Sequence, residues 1–282
     1  PSLGFCIFLL WLISKIQKED WKISGFQSLK KYTQLLLVII ISVYVVLTFV
    51  RNFDWKNRLT LFSHDISAVE NSAQAQNLLG LHLFIESGKE NFDKQMQMRQ
   101  EAVTHFEKAL AIFPNFLNAS FDLSRTYEAI ANAYSAAKNI RSSQDFADKA
   151  YQQYARTIQI DSTFITPCFN MAIIQHNKGN VEAAIPLYER FLTKYPHRIE
   201  AYSNLSFAYF TIKDYKQSIA VNEKAIANNP EAIDPIINVA KTYMVMNEKD
   251  SALFYFRKAN TLQPGRKELM QQIELLLPTA TK

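Results

Sequence analysis

Residues 165–196 read ITPCFNMAIIQHNKGNVEAAIPLYERFLTKYP, residues 199–230 read IEAYSNLSFAYFTIKDYKQSIAVNEKAIANNP, and residues 233–264 read IDPIINVAKTYMVMNEKDSALFYFRKANTLQP. Each stretch ends on a proline, and Pro196, Pro230 and Pro264 are equally spaced. A proline closes a helix because it lacks the N–H that would continue the ladder. Small residues recur where two helices must approach closely, at Ala184, Ser218 and Ala252 and again at Ala172, Ser206 and Ala240. Met171, Leu205 and Val239 precede the second set, and Gln175, Tyr209 and Tyr243 follow it. Tyr188 and Phe256 occupy one further register position, where Asn222 is the poor match.

A period of about 34 residues with this pattern is the signature of the tetratricopeptide repeat, a helix-turn-helix unit that stacks on its neighbours. Working outward, Ala102, Phe106, Ala109 and Pro114 reproduce the second helix of an earlier repeat, whose partner surrounds Leu79 and Gly80 beyond an insertion at Lys89–Gln100. Leu123, Ser124 and Tyr127 pair with Ala150, Tyr154 and Ser162 in another, stretched near Ser135–Asp145. Arg266–Leu277 has helical period and reads as a capping helix. Five repeats over 71–264, with a cap and tail over 265–282, predict a right-handed α-solenoid with an extended concave groove.

The amino-terminal part has a different character. Tyr32–Val50 is an unbroken run without a charge, about 28 Å of helix, which matches the hydrocarbon thickness of a bilayer. Leu3–Ile13 is a shorter apolar run that upstream residues would complete, and a start at Pro1 reads as a fragment or a processed chain. The fold class expected is therefore all-α: two transmembrane helices at about 1–14 and 32–50, a connector over 51–70, then the solenoid. Five lysines lie between the runs, against Arg51, Lys56 and Arg58 beyond them. By the positive-inside rule the first loop is cytoplasmic and the repeats are extracytoplasmic.

Composition excludes several classes. Of 31 basic and 26 acidic side chains, positions 1–50 hold five and two, so the remainder of the chain is near balance, with no basic face for nucleic acid. Two cysteines provide neither a disulfide framework nor a zinc site. No phosphate-binding glycine loop, His-Glu-x-x-His or nucleophile-elbow pattern occurs, and the five histidines lack metal-ligand spacing. Cys168 occupies a packing position, and Asn118 and Asn204 fall in glycosylation sequons, the second inside an expected helix. No catalytic residue, metal ligand or cofactor site is expected in this chain.

The head of the chain, Pro1-Ser2-Leu3-Gly4-Phe5-Cys6, resembles the Leu-Pro-Ser-x-Gly-Phe-Cys segment of the transmembrane and tetratricopeptide-repeat O-mannosyltransferases and their bacterial relatives, GT-C-type glycosyltransferases. Arg51, Trp55, Leu61 and Phe62, followed by Asn77-Leu78-Leu79-Gly80, resemble the juxtamembrane stretch and first repeat of that family. The resemblance runs through the whole chain. It implies repeats on the lumenal or periplasmic side, and catalytic acidic residues in an early extracytoplasmic loop with no counterpart among these residues.

One constellation is a candidate for binding. Asn170, Asn204 and Asn238 recur once per repeat at a position expected on the inner face of the solenoid, with Asp122 in the same place and Asn77 near it. An amide both donates and accepts, so a ladder of them can grip an extended backbone without regard to its sequence. The arrangement is similar to the asparagine ladder of the O-GlcNAc transferase repeats. Its expected groove neighbours are Phe169, Ile173, Phe207, Phe210, Ile237 and Met244, with Lys241 the one cation. This lining suits an extended or unfolded polypeptide, and the resemblance implies that it is presented to a lipid-linked-sugar-dependent glycosyltransferase. The other reading is a non-catalytic scaffold of a cell-envelope complex holding one defined protein partner.

Overall fold

In the computed structural model, apart from two isolated earlier positions, residues 31–54 and 58–277 are described. The chain divides into two units, Pro1–Ala68 and Val69–Lys282. In the first unit, α1 spans Lys31–Asp54 and α2 spans Arg58–Asp65, followed by a 3₁₀ turn over Ile66–Val69. The first expected span, near 1–14, lies outside the described residues. The second falls on α1, but among the described residues no helix is long and apolar enough to cross a membrane.

The second unit is built from antiparallel helix pairs: α3 (Ala73–Ser87) with α4 (Phe92–Ile112), α5 (Leu117–Ala136) with α6 (Ile140–Ile160), α7 (Thr166–Asn177) with α8 (Val181–Lys194), α9 (Ile199–Thr211) with α10 (Tyr215–Asn228), and α11 (Ile233–Val245) with α12 (Lys249–Leu262). A last helix, α13 (Lys267–Leu276), packs on α12. Each second helix also touches the first helix of the next pair, so every pair buries its apolar faces against its neighbours. This is a tetratricopeptide-repeat solenoid, all-helical among the described residues.

The register positions explain the packing. Ala172, Ala184, Ala240 and Ala252 are fully buried, and Ser206 and Ser218 are 2% exposed, because a larger side chain there would drive the paired helices apart. Beside them Phe106, Tyr154, Tyr188 and Phe256 fill the space inside successive pairs at 0–1% exposure. In the first pair the fit is tight enough to require glycine. A Cβ on Gly80 would stand 2.9 Å from Phe106 Cε1 and 3.1 Å from its Cζ.

The turns inside the last four pairs follow one rule. Lys138, Gly179, Lys213 and Asn247 all adopt the left-handed conformation, with φ between 60° and 83°, two residues past the end of the first helix. The next N–H then reaches back to a carbonyl of the last helical turn, as from Asn180 to Gln175, Asp214 to Tyr209 and Glu248 to Tyr243, each at 2.9 Å. Three of these four positions hold a side chain, so the turn is set by the carbonyls that need donors rather than by glycine.

The first two pairs are longer than the rest. Helices α4, α5 and α6 have 20 or 21 residues, against 12–14 in the three regular pairs. The additional residues extend the helices and carry their own aromatic cluster, Phe92 against Tyr134 (6.1 Å between ring centroids) and Tyr134 stacked on Phe146 (5.8 Å). Arg99 ties this region together by donating to Ala129 O at 2.8 Å.

Candidate functional site

Adjacent repeats are stitched by a recurring bond. Tyr127 donates to Glu107 at 2.9 Å and Tyr209 to Glu189 at 2.8 Å; in both, the first helix of one pair reaches the second helix of the pair before it. In the last pair Tyr255 takes over, donating to Glu223 at 3.0 Å while stacking on Tyr243 (5.7 Å). Burial, then the adjacent carboxylate, pushes the Tyr209 and Tyr255 phenols up to about 12, and burial alone does so for Tyr188. Folded phenols thus hold protons that unfolded ones, with a pKa near 10, release. Stability is fully present below pH 10 and is lost as pH rises towards 12. The urea midpoint should therefore be flat from pH 8 to 10 and fall steeply above; a midpoint unchanged at pH 12 would contradict these bonds.

The first helices of the regular pairs, α7, α9 and α11, also touch one another and form the candidate binding face. On it the three asparagines have different surroundings. The Asn170 amide donates to Glu128 Oε2 at 2.8 Å and to the Tyr154 hydroxyl at 2.7 Å, while that hydroxyl donates to Glu128 at 2.6 Å. Its N–H groups are therefore engaged within the chain. Asn204 is half-buried on α9. Asn238, half-buried on α11, lines a cavity of 240 Å³ together with Phe207, Phe210 and Lys241.

Among the other expected residues, Asp122 is mostly buried and lies 3.6 Å from Arg125. Burial pushes its carboxyl above the usual range, and Arg125 opposes the shift. Phe169 and Ile173 pack against the buried core around Tyr188 and Phe191, with Phe169 5.0 Å from the Phe191 ring. Ile237 (8% exposed), Lys241 and Met244 (37%) line a second cavity of 510 Å³ beside Arg266, Leu269 and Gln272 of the capping segment. Asn77 is buried in α3.

Two residues on or beside this face are not among those expected from the sequence. His176 stacks on the exposed ring of Phe207, 5.3 Å between centroids at 12°, so two neighbouring first helices present one continuous flat surface. Asn222, fully buried, lies against the 240 Å³ cavity. The signal for Asn222 is visible as the mismatch at an otherwise aromatic position. No signal points to the His176–Phe207 stack, because contact between successive repeats depends on superhelical geometry. Among the described residues no group of three His, Cys, Asp or Glu side chains is placed to hold a metal ion. Cys168 is fully buried.

Residues 169–197 and residues 199–231 each match the tetratricopeptide repeat family. The chain is 24% identical to protein O-mannosyl-transferase TMTC3 of Homo sapiens over 270 residues, covering 95% of this chain and 28% of that protein. It is 22% identical to Tmtc3 of Drosophila melanogaster over 205 residues, 72% of this chain and 20% of that protein. Anaphase-promoting complex subunit 7 of Homo sapiens is 23% identical over 268 residues, 94% of this chain and 39% of that protein. The chain thus spans less than a third of the O-mannosyl-transferases it matches. Among solved structures, YrrB, a tetratricopeptide-repeat protein with an unusual peptide-binding site, aligns with a TM-score of 0.55 at 13% identity, covering 76% of this chain and 97% of YrrB. The protein MamA aligns with a TM-score of 0.52 at 18% identity, covering 67% and 94%. These structural likenesses support the fold.

Proposed function

We propose that the chain is the polypeptide-binding repeat region of a membrane-anchored, protein O-mannosyl-transferase-like molecule, with its repeats on the extracytoplasmic side. On this reading the sugar-transfer chemistry lies in residues outside this chain, and the repeats hold the acceptor. The observation that carries the binding role is the face of α7, α9 and α11, which offers amides (Asn204, Asn238), exposed aromatic surface (Phe207 with His176) and one cation (Lys241) beside open cavities. Such a lining grips a backbone by hydrogen bonds and apolar contact without demanding an acidic terminus. The sequence likeness to TMTC3 along nearly the whole chain supports the enzyme context.

The anchor is proposed on α1. Eleven of its large apolar side chains between Leu35 and Val50, among them Leu35, Ile39, Val43, Leu47 and Phe49, are 43–64% exposed and lie on several sides of the helix, an arrangement that calls for an apolar surrounding rather than one packed face. The lysine-rich segment before it supports placing the repeats outside the cytoplasm. The likeness to a subunit of the anaphase-promoting complex favours a second reading, a scaffold that holds one folded partner.

Binding of a reduced, carboxymethylated and hence unfolded polypeptide separates the two. The double variant Asn204→Ala/Asn238→Ala should bind it about tenfold more weakly than the parent, at about 0.5–1.5 kcal/mol for each lost hydrogen bond. Equal affinity in parent and double variant would overturn the polypeptide-gripping role.

A further inference from the structure

Four of the five helix pairs place a buried aromatic ring at one register position: Phe106, Tyr154, Tyr188 and Phe256, each at most 1% exposed. The fourth pair has Asn222 there instead. Asn222, shorter than the rings of the other pairs, lines the 240 Å³ cavity between α9, α10 and α11. Small residues on two sides, Ser206 and Ser218, keep it wide. For comparison, an apolar protein cavity of about 150 Å³ accepts benzene.

The polar chemistry of this cavity is asymmetric. The Asn222 amide nitrogen donates to Ser218 O at 3.0 Å; a carbonyl oxygen only accepts, so this bond fixes which end of the amide is Oδ1. Oδ1 is buried and receives no hydrogen bond from the protein. A buried acceptor without a donor is costly, so the site is selective for a ligand that brings one. Thr242, also at the wall, already donates to Asn238 O. Lys241, exposed beside the cavity, disfavours a cationic ligand and favours an aromatic one.

We propose that this cavity is a side-chain subsite that takes a tyrosine of the bound polypeptide, its hydroxyl donating to Asn222 Oδ1. A phenol suits the site because its donor is at the tip of a flat apolar ring. The proposal rests on the polypeptide-binding reading above and adds a specificity to it: sequence-tolerant grip along the face, with one position read for tyrosine.

The test uses the whole chain with N-acetyl-tyrosinamide, N-acetyl-phenylalaninamide and N-acetyl-alaninamide as probes, followed by ligand-observed NMR. The tyrosine amide should bind at least tenfold more tightly than the phenylalanine amide, and the alanine amide should not bind. Asn222→Phe restores the ring present in the other four pairs. It should keep the helical circular-dichroism signal and thermal midpoint while losing at least tenfold in affinity for the tyrosine amide. Unchanged affinity in Asn222→Phe, or equal binding of tyrosine and phenylalanine amides, would overturn the subsite. An extended peptide with and without tyrosine is then compared. If both forms bind equally, the subsite fails while the groove stands; if the tyrosine amide binds but neither peptide does, the groove reading fails.

Discussion

Tyr154→Ala is expected to lower the unfolding free energy of the repeat unit by about 3–5 kcal/mol, the range for deleting a fully buried aromatic side chain. Tyr154 is 0% exposed and its ring lies 6.0 Å from that of Phe121, so its removal opens a cavity. Its hydroxyl is also the middle of a polar triad, donating to Glu128 at 2.6 Å and accepting from Asn170 at 2.7 Å. Burial, with Glu128 beside it, pushes this phenol well above its ordinary pKa, so it stays a donor throughout the neutral range. Tyr154→Phe isolates the polar part and should cost about 1–3 kcal/mol, because Glu128 and Asn170 each lose a partner. Urea unfolding followed by circular dichroism measures both. A loss below about 1 kcal/mol for the alanine variant would show that the triad does not connect these repeats.

Phe106→Ala carries a comparable expected loss, about 3–5 kcal/mol, because the ring is fully buried and presses on the α3 backbone at Gly80. The converse change tests the same contact. Gly80→Ala gains helix propensity, about 1 kcal/mol, but puts a methyl group 2.9 Å from a ring with no exposed side to move to. Overpacking of that kind costs about 1–3 kcal/mol, so the net effect should be a loss. Shortening the ring as well, in Gly80→Ala/Phe106→Leu, should cost less than the sum of the two single changes, since the two positions are in contact. Strict additivity would contradict the close approach.

The solenoid is legible because its rules are periodic. Evenly spaced prolines and small residues at fixed offsets can be read without tertiary knowledge; the prolines lie two residues past the second helices, and the small residues are buried inside the pairs. The lengthened helices are less legible, since the aromatic residues that stabilise them, Phe92, Tyr134 and Phe146, belong to no repeat position. The candidate face is only partly legible. Periodicity places Asn170, Asn204 and Asn238 alike, yet an asparagine's partners depend on what the preceding pair supplies. Glu128 and Tyr154 supply them to Asn170, whereas Asn238 lies beside a cavity. Phe169 and Ile173 share register with groove positions but sit where α7 leans on Tyr188 and Phe191.

The most direct measurement is site-specific photocrosslinking of the full chain to an unfolded polypeptide from two positions of equal openness. Phe207, 58% exposed, lies on the first-helix face, and Phe254, 62% exposed, lies on the second helix of the last pair. A photoreactive side chain at 207 should capture the polypeptide and one at 254 should not. Capture from 254 and none from 207 would contradict a binding face formed by the first helices.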